Sequence, residues 1–341
     1  MPSDPIDPTR PSPSPQPLGP APTDSDGFDA WARLGNDTWR RNEVTTEAQR
    51  RWADPATSTA DRALAGLWAY PAGNPGIAEL TALVDDPAVG PVLRGRLEVL
   101  AAIELVDSRP EEAVITANRA LSALADNAAP TRTRIGVWLS GSEVLARTGR
   151  PDLAMELLTQ AGTEVGAAAD APAWGGLVIE AEKLGILAPI ADDPRAVASA
   201  AHAVAKEATA IEPSPPALDV IVKMSGVLVA TGAGAAADPL LEYVLEQLEG
   251  VPEAFGLRFQ ALMVLADVRF ALDGPDGAIE VQRQAIDTVA PLGDTPMLGW
   301  SRRGLAFQLR AADRLGEAAA EFGEAAAVLD RAGQGTDAGA M

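Results

Sequence analysis

Apolar residues recur along this chain at intervals of three and four, in blocks interrupted by short polar turns. Residues 134–161, RIGVWLSGSEVLARTGRPDLAMELLTQA, show the pattern most fully. Ile135, Trp138, Leu139, Val144 and Leu145 mark one block, and Leu153, Ala154, Leu157, Leu158 and Ala161, running on to Val165, mark the next. Both follow the 3.6-residue period of an α-helix with one face to bury. Between them Gly149 suits the left-handed residue that ends a helix, Pro151 suits the first position of the next, and Asp152 lies where the positive helix end favours an acid. The stretch therefore predicts a helical hairpin.

The same punctuation returns. A proline that follows a turn and opens an apolar-periodic run occurs at Pro75, Pro110, Pro151, Pro194, Pro239 and Pro275. Seven hairpins are expected, at 60–85, 89–126, 132–167, 172–210, 216–250, 254–290 and 296–332, with no strand. One hairpin leaves a side uncovered and only a neighbour can bury it, so the expected class is all-α, a right-handed α-solenoid of about seven stacked antiparallel hairpins.

Three regions follow from the change in composition. Residues 1–26, rich in Pro, Ser and Asp, carry too little apolar surface to offset the entropy of ordering and are expected to form a disordered arm. Residues 27–332 are the repeat domain and 333–341 a flexible tail. Within the domain, Phe28 to Trp52 forms one or two helices carrying Trp31, Trp39 and Trp52 beside Arg33, Arg40, Arg41, Arg50 and Arg51. It reads as a cap over the first repeat, with a docking helix for an acidic segment as the alternative.

Charge narrows the partners. Lys+Arg total 27 against 48 Asp+Glu among 341 residues, a formal charge of −21, which repels phosphate backbones and anionic lipid surfaces. Neither nucleic acid nor membrane is expected as a partner. There are 0 cysteines, so no disulfide, thiolate metal site or Cys nucleophile can form. Prolines and acids occupy the amino terminus where a signal peptide needs basic and then apolar residues, so the expected location is the cytoplasm. Frequent Ala and Arg with little Lys suggest a GC-rich bacterial genome. Leu218 to Ala237 approaches the length of a membrane span but contains Asp219 and Lys223, and reads as a buried repeat helix.

Catalytic material is scarce. No GxxxxGK[ST] loop occurs, and the GAGAAA run at Gly232 follows no strand. His202 is the 1 histidine, with no second histidine or cysteine to build a metal site or triad. The carboxylate pairs Asp85-Asp86, Glu111-Glu112 and Asp192-Asp193 stand at helix ends, where capping accounts for them. DSDG at Asp24 to Gly27 is a turn with a cap, and Trp68, Trp138, Trp174 and Trp300 read as packing residues. The chain is expected not to be an enzyme and to hold no cofactor or metal.

Residues 134–161 also resemble a tetratricopeptide repeat, through Trp138, Ser142, Leu145, Ala154, Leu158 and Ala161; Gly141 departs from the pattern. The last hairpin is similar through Leu305, Ala306, Leu309, Ala318, Phe322 and Ala325. Fair matches come from Leu97, Leu100, Ala101, Ala113 and Ala120, and from Leu262, Leu265, Ala266, Ala278 and Ala285. The signature fades over 172–250 and before 89. The resemblance implies that the first helices line a concave groove for a protein or peptide. By position, its lining would include Glu98, Glu143, Arg147, Asp267, Arg303, Phe307 and Arg310. The Lys/Asn carboxylate clamp of some family members has no counterpart here: Glu98 and Ala102, Leu139 and Glu143, Met263 and Asp267, and Arg303 and Phe307 stand in those places. Arg302, Arg303, Arg310 and Arg314 gather positive charge that could seat an acidic segment. The expected function is a non-enzymatic scaffold binding a protein or peptide in its groove. The alternative is a ligand-sensing or regulatory module resembling the repeat regions of bacterial transcriptional regulators. Oligomeric state is left open.

Overall fold

The computed structural model describes residues 18–70, 75–125 and 129–332. Among them are sixteen α-helices, a few short 3-10 turns and no strand. The expected tail at 333–341 and the first seventeen residues of the expected arm lie outside the described residues. From residue 18 the chain is in place: Gly19 O accepts from the Trp31 indole, Pro22 O accepts from Arg51, and Asp24 caps the first helix by accepting from Gly27 N.

Eight helix pairs follow in order. They are α1 (Ser25–Asp37) with α2 (Arg41–Ala53), α3 (Thr59–Ala69) with the short α4 (Ile77–Thr81), α5 (Pro91–Leu105) with α6 (Pro110–Ala125), and α7 (Thr131–Arg147) with α8 (Pro151–Ala167). Then come α9 (Gly175–Leu187) with α10 (Pro194–Ala210), α11 (Pro215–Ala230) with α12 (Asp238–Gln247), α13 (Phe255–Asp273) with α14 (Pro275–Val289), and α15 (Pro296–Ala311) with α16 (Leu315–Arg331). The last seven are the expected hairpins.

The expected punctuation is visible in them. Pro110, Pro151, Pro194, Pro239 and Pro275 each stand in the first turn of a second helix, while Pro75 lies two residues ahead of α4. Gly149 has φ +78°, the left-handed conformation, and its turn returns Arg150 N to Leu145 O at 2.8 Å. Asp193 caps α10 by accepting from the backbone N–H groups of Arg195 and Ala196.

Stacking makes two layers. First helices pack on first helices along α5, α7, α9, α11 and α13, and each second helix wedges against the first helix that follows it. Small residues let them approach: a side chain at Gly95 of α5 would collide with Leu124 of α6. The largest apolar cluster among the described residues spans α9 to α13, and α11 is its axis, with Leu218, Ile221, Met224 and Leu228 all at most 1% exposed. Leu218–Ala237 is thus a buried repeat helix with its following turn, and no helix among the described residues is long and apolar enough to cross a membrane.

Candidate partner-binding surface

The inner face of the solenoid can be located from what α1 and α2 touch. This hairpin packs on α3 as a cap should, with Phe28 and Ala48 joining Leu64, Ala65 and Ala69 in one small core. It also continues over the first helices beyond. Asp29 accepts from Arg96 of α5 at 2.9 Å, from Arg33 at 2.6 Å and from the Trp68 indole at 2.9 Å. Arg33 donates to Thr133 of α7 at 2.6 Å, and Asp37 pairs with Arg132 of the same helix, whose guanidinium lies 5.1 Å from the Trp174 ring. Trp39, in the turn between α1 and α2, packs on the edge of the α9–α13 core. Its φ of +62° is a backbone state that costs a bulky residue free energy, so the surrounding contacts hold it there.

The hairpin is thus a cap and a filling for the amino-terminal part of the inner face. Its arginines are largely spent on the chain's own carboxylates, whereas the docking alternative would have left them free. Burial pushes the Asp29 carboxyl up, but Arg96 and Arg33 outweigh it and hold its pKa below the usual value. Hydrogen bonds from Arg50, then Arg51, bring Glu47 down to about 2 against the opposing effect of burial. Arg51 also lies 3.9 Å over the Phe28 ring.

Beyond the hairpin the first helices carry exposed polar side chains, Arg147 and Asp267 among them. On α7, Gly136 lies under the hairpin, and Glu143 and Arg147 continue the same helical stripe. Arg147 bonds Glu143 at 3.2 Å and Asp107 in the preceding turn at 2.7 Å. Glu182 of α9 pairs with Lys223 of α11, and Gln260 and Asp267 share one stripe of α13. Burial raises the Asp267 carboxyl above its ordinary value although its outer edge stays exposed.

The other named residues lie elsewhere. Glu98 is turned away from the inner face, 6% exposed between α4 and α6 and 3.4 Å from Arg119; burial raises its pKa against that arginine. In α5 it is Arg96 and Ile103 that line the inner side. On α15, Gly304 and Gln308 meet Gln282 of α14, and Gly299 and Arg302 meet α16, so Trp300, Arg303, Phe307 and Arg310 project from the remaining side, at the carboxy-terminal end of the stack. There the Arg303 guanidinium lies 5.2 Å from Trp300 and 5.5 Å from Phe307, Arg310 lies 5.0 Å from Phe307, and Phe307 meets Phe322 edge-on at 5.1 Å. Among the described residues Arg303 and Arg310 form no ion pair. The structure thus sets Glu143 and Arg147 together on α7 and Asp267 on α13, and gathers Arg303, Phe307 and Arg310 at the end of the stack.

Sequence reasoning gave Arg41 only as part of the cap or docking helix, Trp174 as a packing residue and Asp219 as part of a buried helix, and did not single out Asn36, Asn42, Glu253 or Gln260. They line an open-sided cavity of 760 Å³ between the hairpin and the inner face, which shares Arg33, Asn36, Arg41 and Arg132 with a smaller one of 280 Å³ over α5 and α7. The surplus of Trp and Arg in the first helices was the available signal. Among the described residues no group of His, Cys, Asp and Glu could hold a metal ion.

No family model matches the sequence, and no curated protein matches it. Solved structures do. A Rap protein complexed with Competence and Sporulation Factor aligns at TM-score 0.55 and 11% identity over 92% of this chain and 90% of that one. The apo form of the quorum sensor NprR from B. thuringiensis aligns at TM-score 0.55 and 14% identity, over 90% and 83%. At such identities the likeness is one of architecture, and it agrees with the stacked pairs described above. The chain has the fold of a tetratricopeptide-like helical-repeat protein.

Proposed function

We propose that the chain is a non-enzymatic scaffold that binds a protein or peptide partner along the inner face of its first helices. One observation carries the reading: this surface already receives a helical segment, its own α1–α2, through side-chain ion pairs and an inserted tryptophan; on this proposal the face continues through Glu143, Arg147 and Asp267. A surface that takes a helix by such means is suited to another. The two solved structures that share the fold, a factor-bound Rap protein and a quorum sensor, support a binding role over a catalytic one.

A photo-crosslinking residue placed at Asp267 is expected to capture a partner that one placed at His202, exposed on α10 of the outer layer, does not. Equal capture from both positions would overturn the reading. The stacked Arg303, Phe307 and Arg310 support a second contact, to an acidic segment, at the end of the stack. Replacing both arginines with Glu is expected to weaken recovery of that partner. The regulatory alternative is favoured by the cavity beneath α1–α2, whose two walls belong to different parts of the chain.

A further inference from the structure

The outer layer of the solenoid has a gap. Second helices α6, α8 and α10 run 16, 17 and 17 residues, whereas α4 runs 5. A helix that short makes about one and a half turns and leaves the neighbouring faces of α5 and α6 partly uncovered. The space is an open-sided cavity of 500 Å³ on the side of α5 turned away from the inner face, with Ile77, Val84, Ala101 and Leu105 as its apolar walls.

The charged groups of this cavity are unevenly compensated. Glu104 accepts from the Tyr70 hydroxyl at 2.5 Å, and Glu112 from Arg109 at 2.9 Å. Glu98 and Asp85 have no such bond. The Glu98 side chain is 8% exposed, and its ion pair is with Arg119, 62% exposed, at 3.4 Å. That contact is longer than the roughly 2.9 Å of a charge-assisted hydrogen bond. An enclosed anion is thus set against a cation that stands largely in water, which leaves its desolvation only partly offset. Burial, and then the like charge of Asp85, push the Glu98 carboxyl up against Arg119 and Arg94. Asp85 itself is exposed at the rim and forms no hydrogen bond or ion pair among the described residues.

These features select a ligand class. An anion meets like charge from Asp85 and Glu98, and a neutral apolar molecule encloses Glu98 further without compensating it. A metal ion lacks a ligand set, since among the described residues no group of His, Cys, Asp and Glu could hold one. A compact ammonium on a short hydrocarbon stem meets both needs: three donors for the carboxylates and methylenes for the apolar walls.

We propose that the cavity between α4, α5 and α6 is a binding site for a small aliphatic primary amine, its ammonium held by Glu98 and Asp85 and its stem by Ile77, Val84, Ala101 and Leu105. The site lies apart from the inner face and goes beyond the partner-binding reading. Arg119 turns into solvent as the ammonium takes its place, and the bound amine ties the short α4 to α5, which stabilises the folded chain by linkage.

The test uses the full chain and three probes of one chain length, pentylamine, pentanol and pentanoate, followed by saturation-transfer NMR and by thermal unfolding. Pentylamine is expected to show saturation transfer to its methylene protons and to raise the Tm, and the alcohol and the acid to do neither. A chain of charge −21 attracts amines everywhere, so the variants decide. Glu98→Gln, which keeps the shape of the side chain, and Asp85→Asn, at an exposed position, are each expected to weaken pentylamine binding about tenfold. Glu280→Gln removes the same charge from an exposed position of α14 and is expected to leave binding unchanged. Pentanol binding as well as pentylamine, or a pentylamine affinity indifferent to Asp85→Asn and Glu98→Gln, overturns the site.

Discussion

Helix α11 and the α1–α2 hairpin are held in opposite ways. α11 is covered on nearly every side by apolar groups of α9, α10, α12 and α13, and its one buried hydroxyl, Ser225, bonds back to Ile221 O. The hairpin meets the inner face chiefly through Asp29, Asp37, Arg33 and one tryptophan. Area-driven burial has no directional alternative and comes apart only with the module, whereas a few ion pairs, even between largely buried side chains, are discrete and can be exchanged one by one. The centre of the solenoid is therefore the static element and the hairpin the displaceable one.

The largest expected effect tests the static half. Ile221→Ala removes a fully buried side chain at a junction of several helices and should cost about 3 kcal/mol, within the range for such truncations. Urea unfolding should show the midpoint falling for the whole chain. A loss confined to the local hairpin would mean that the modules do not share one core.

Next comes the hairpin. Asp29→Asn leaves Arg96, Arg33 and the Trp68 indole facing a weaker acceptor, a change of about 1–3 kcal/mol for partly buried charged hydrogen bonds. Amide exchange should accelerate through α1 and α2 and stay unchanged in α11. Acceleration in both would erase the distinction between the two regions.

The solenoid was legible because its determinants are local. Gly149 with Pro151, and the proline openings at Pro110, Pro194, Pro239 and Pro275, act within a few residues of themselves, and a 3.6-residue period survives whatever packs against it. The fading of the tetratricopeptide signature over 172–250 has a physical meaning too: α11, buried almost all round, needs apolar bulk more than one small-residue stripe. The path of α1–α2 was hidden because its partners are distant, Asp29 with Arg96 and Asp37 with Arg132, and periodicity carries no information across such separations. Glu98 was placed by assigning Leu97 a repeat position. A one-residue offset turns a helix by about 100°, and α5 presents Arg96 and Ile103 to the inner side in consequence.

Acidification should separate the two regions without mutation. Glu47, held at about 2, and Asp29, held below its usual value, both have lower pKa values folded than unfolded. Their contribution to stability is therefore complete above the unfolded carboxylate pKa and is lost as pH falls through the folded one. Between about pH 4.5 and 2, tryptophan fluorescence from the hairpin region should change before helicity is lost, and Glu47→Gln should flatten that early change. Simultaneous transitions would show that the hairpin and the core unfold as one.

The smallest effect is expected where the ion-pair geometry is best. Arg314 donates to both oxygens of Glu317, at 2.8 and 2.6 Å, a closer and more complete pair than the single 2.9 Å bond from Arg96 to Asp29. Yet Glu317 and Arg314 are solvated on the last turn of the stack, so water replaces whatever the pair loses, and salt screens the remainder. A double-mutant cycle at physiological salt should find no measurable coupling between Arg314 and Glu317 and a clear one between Asp29 and Arg96. If the two couplings were equal, bond geometry rather than enclosure would set the strength of these pairs, and the ion pairs that hold the hairpin would be no stronger than those scattered over the surface.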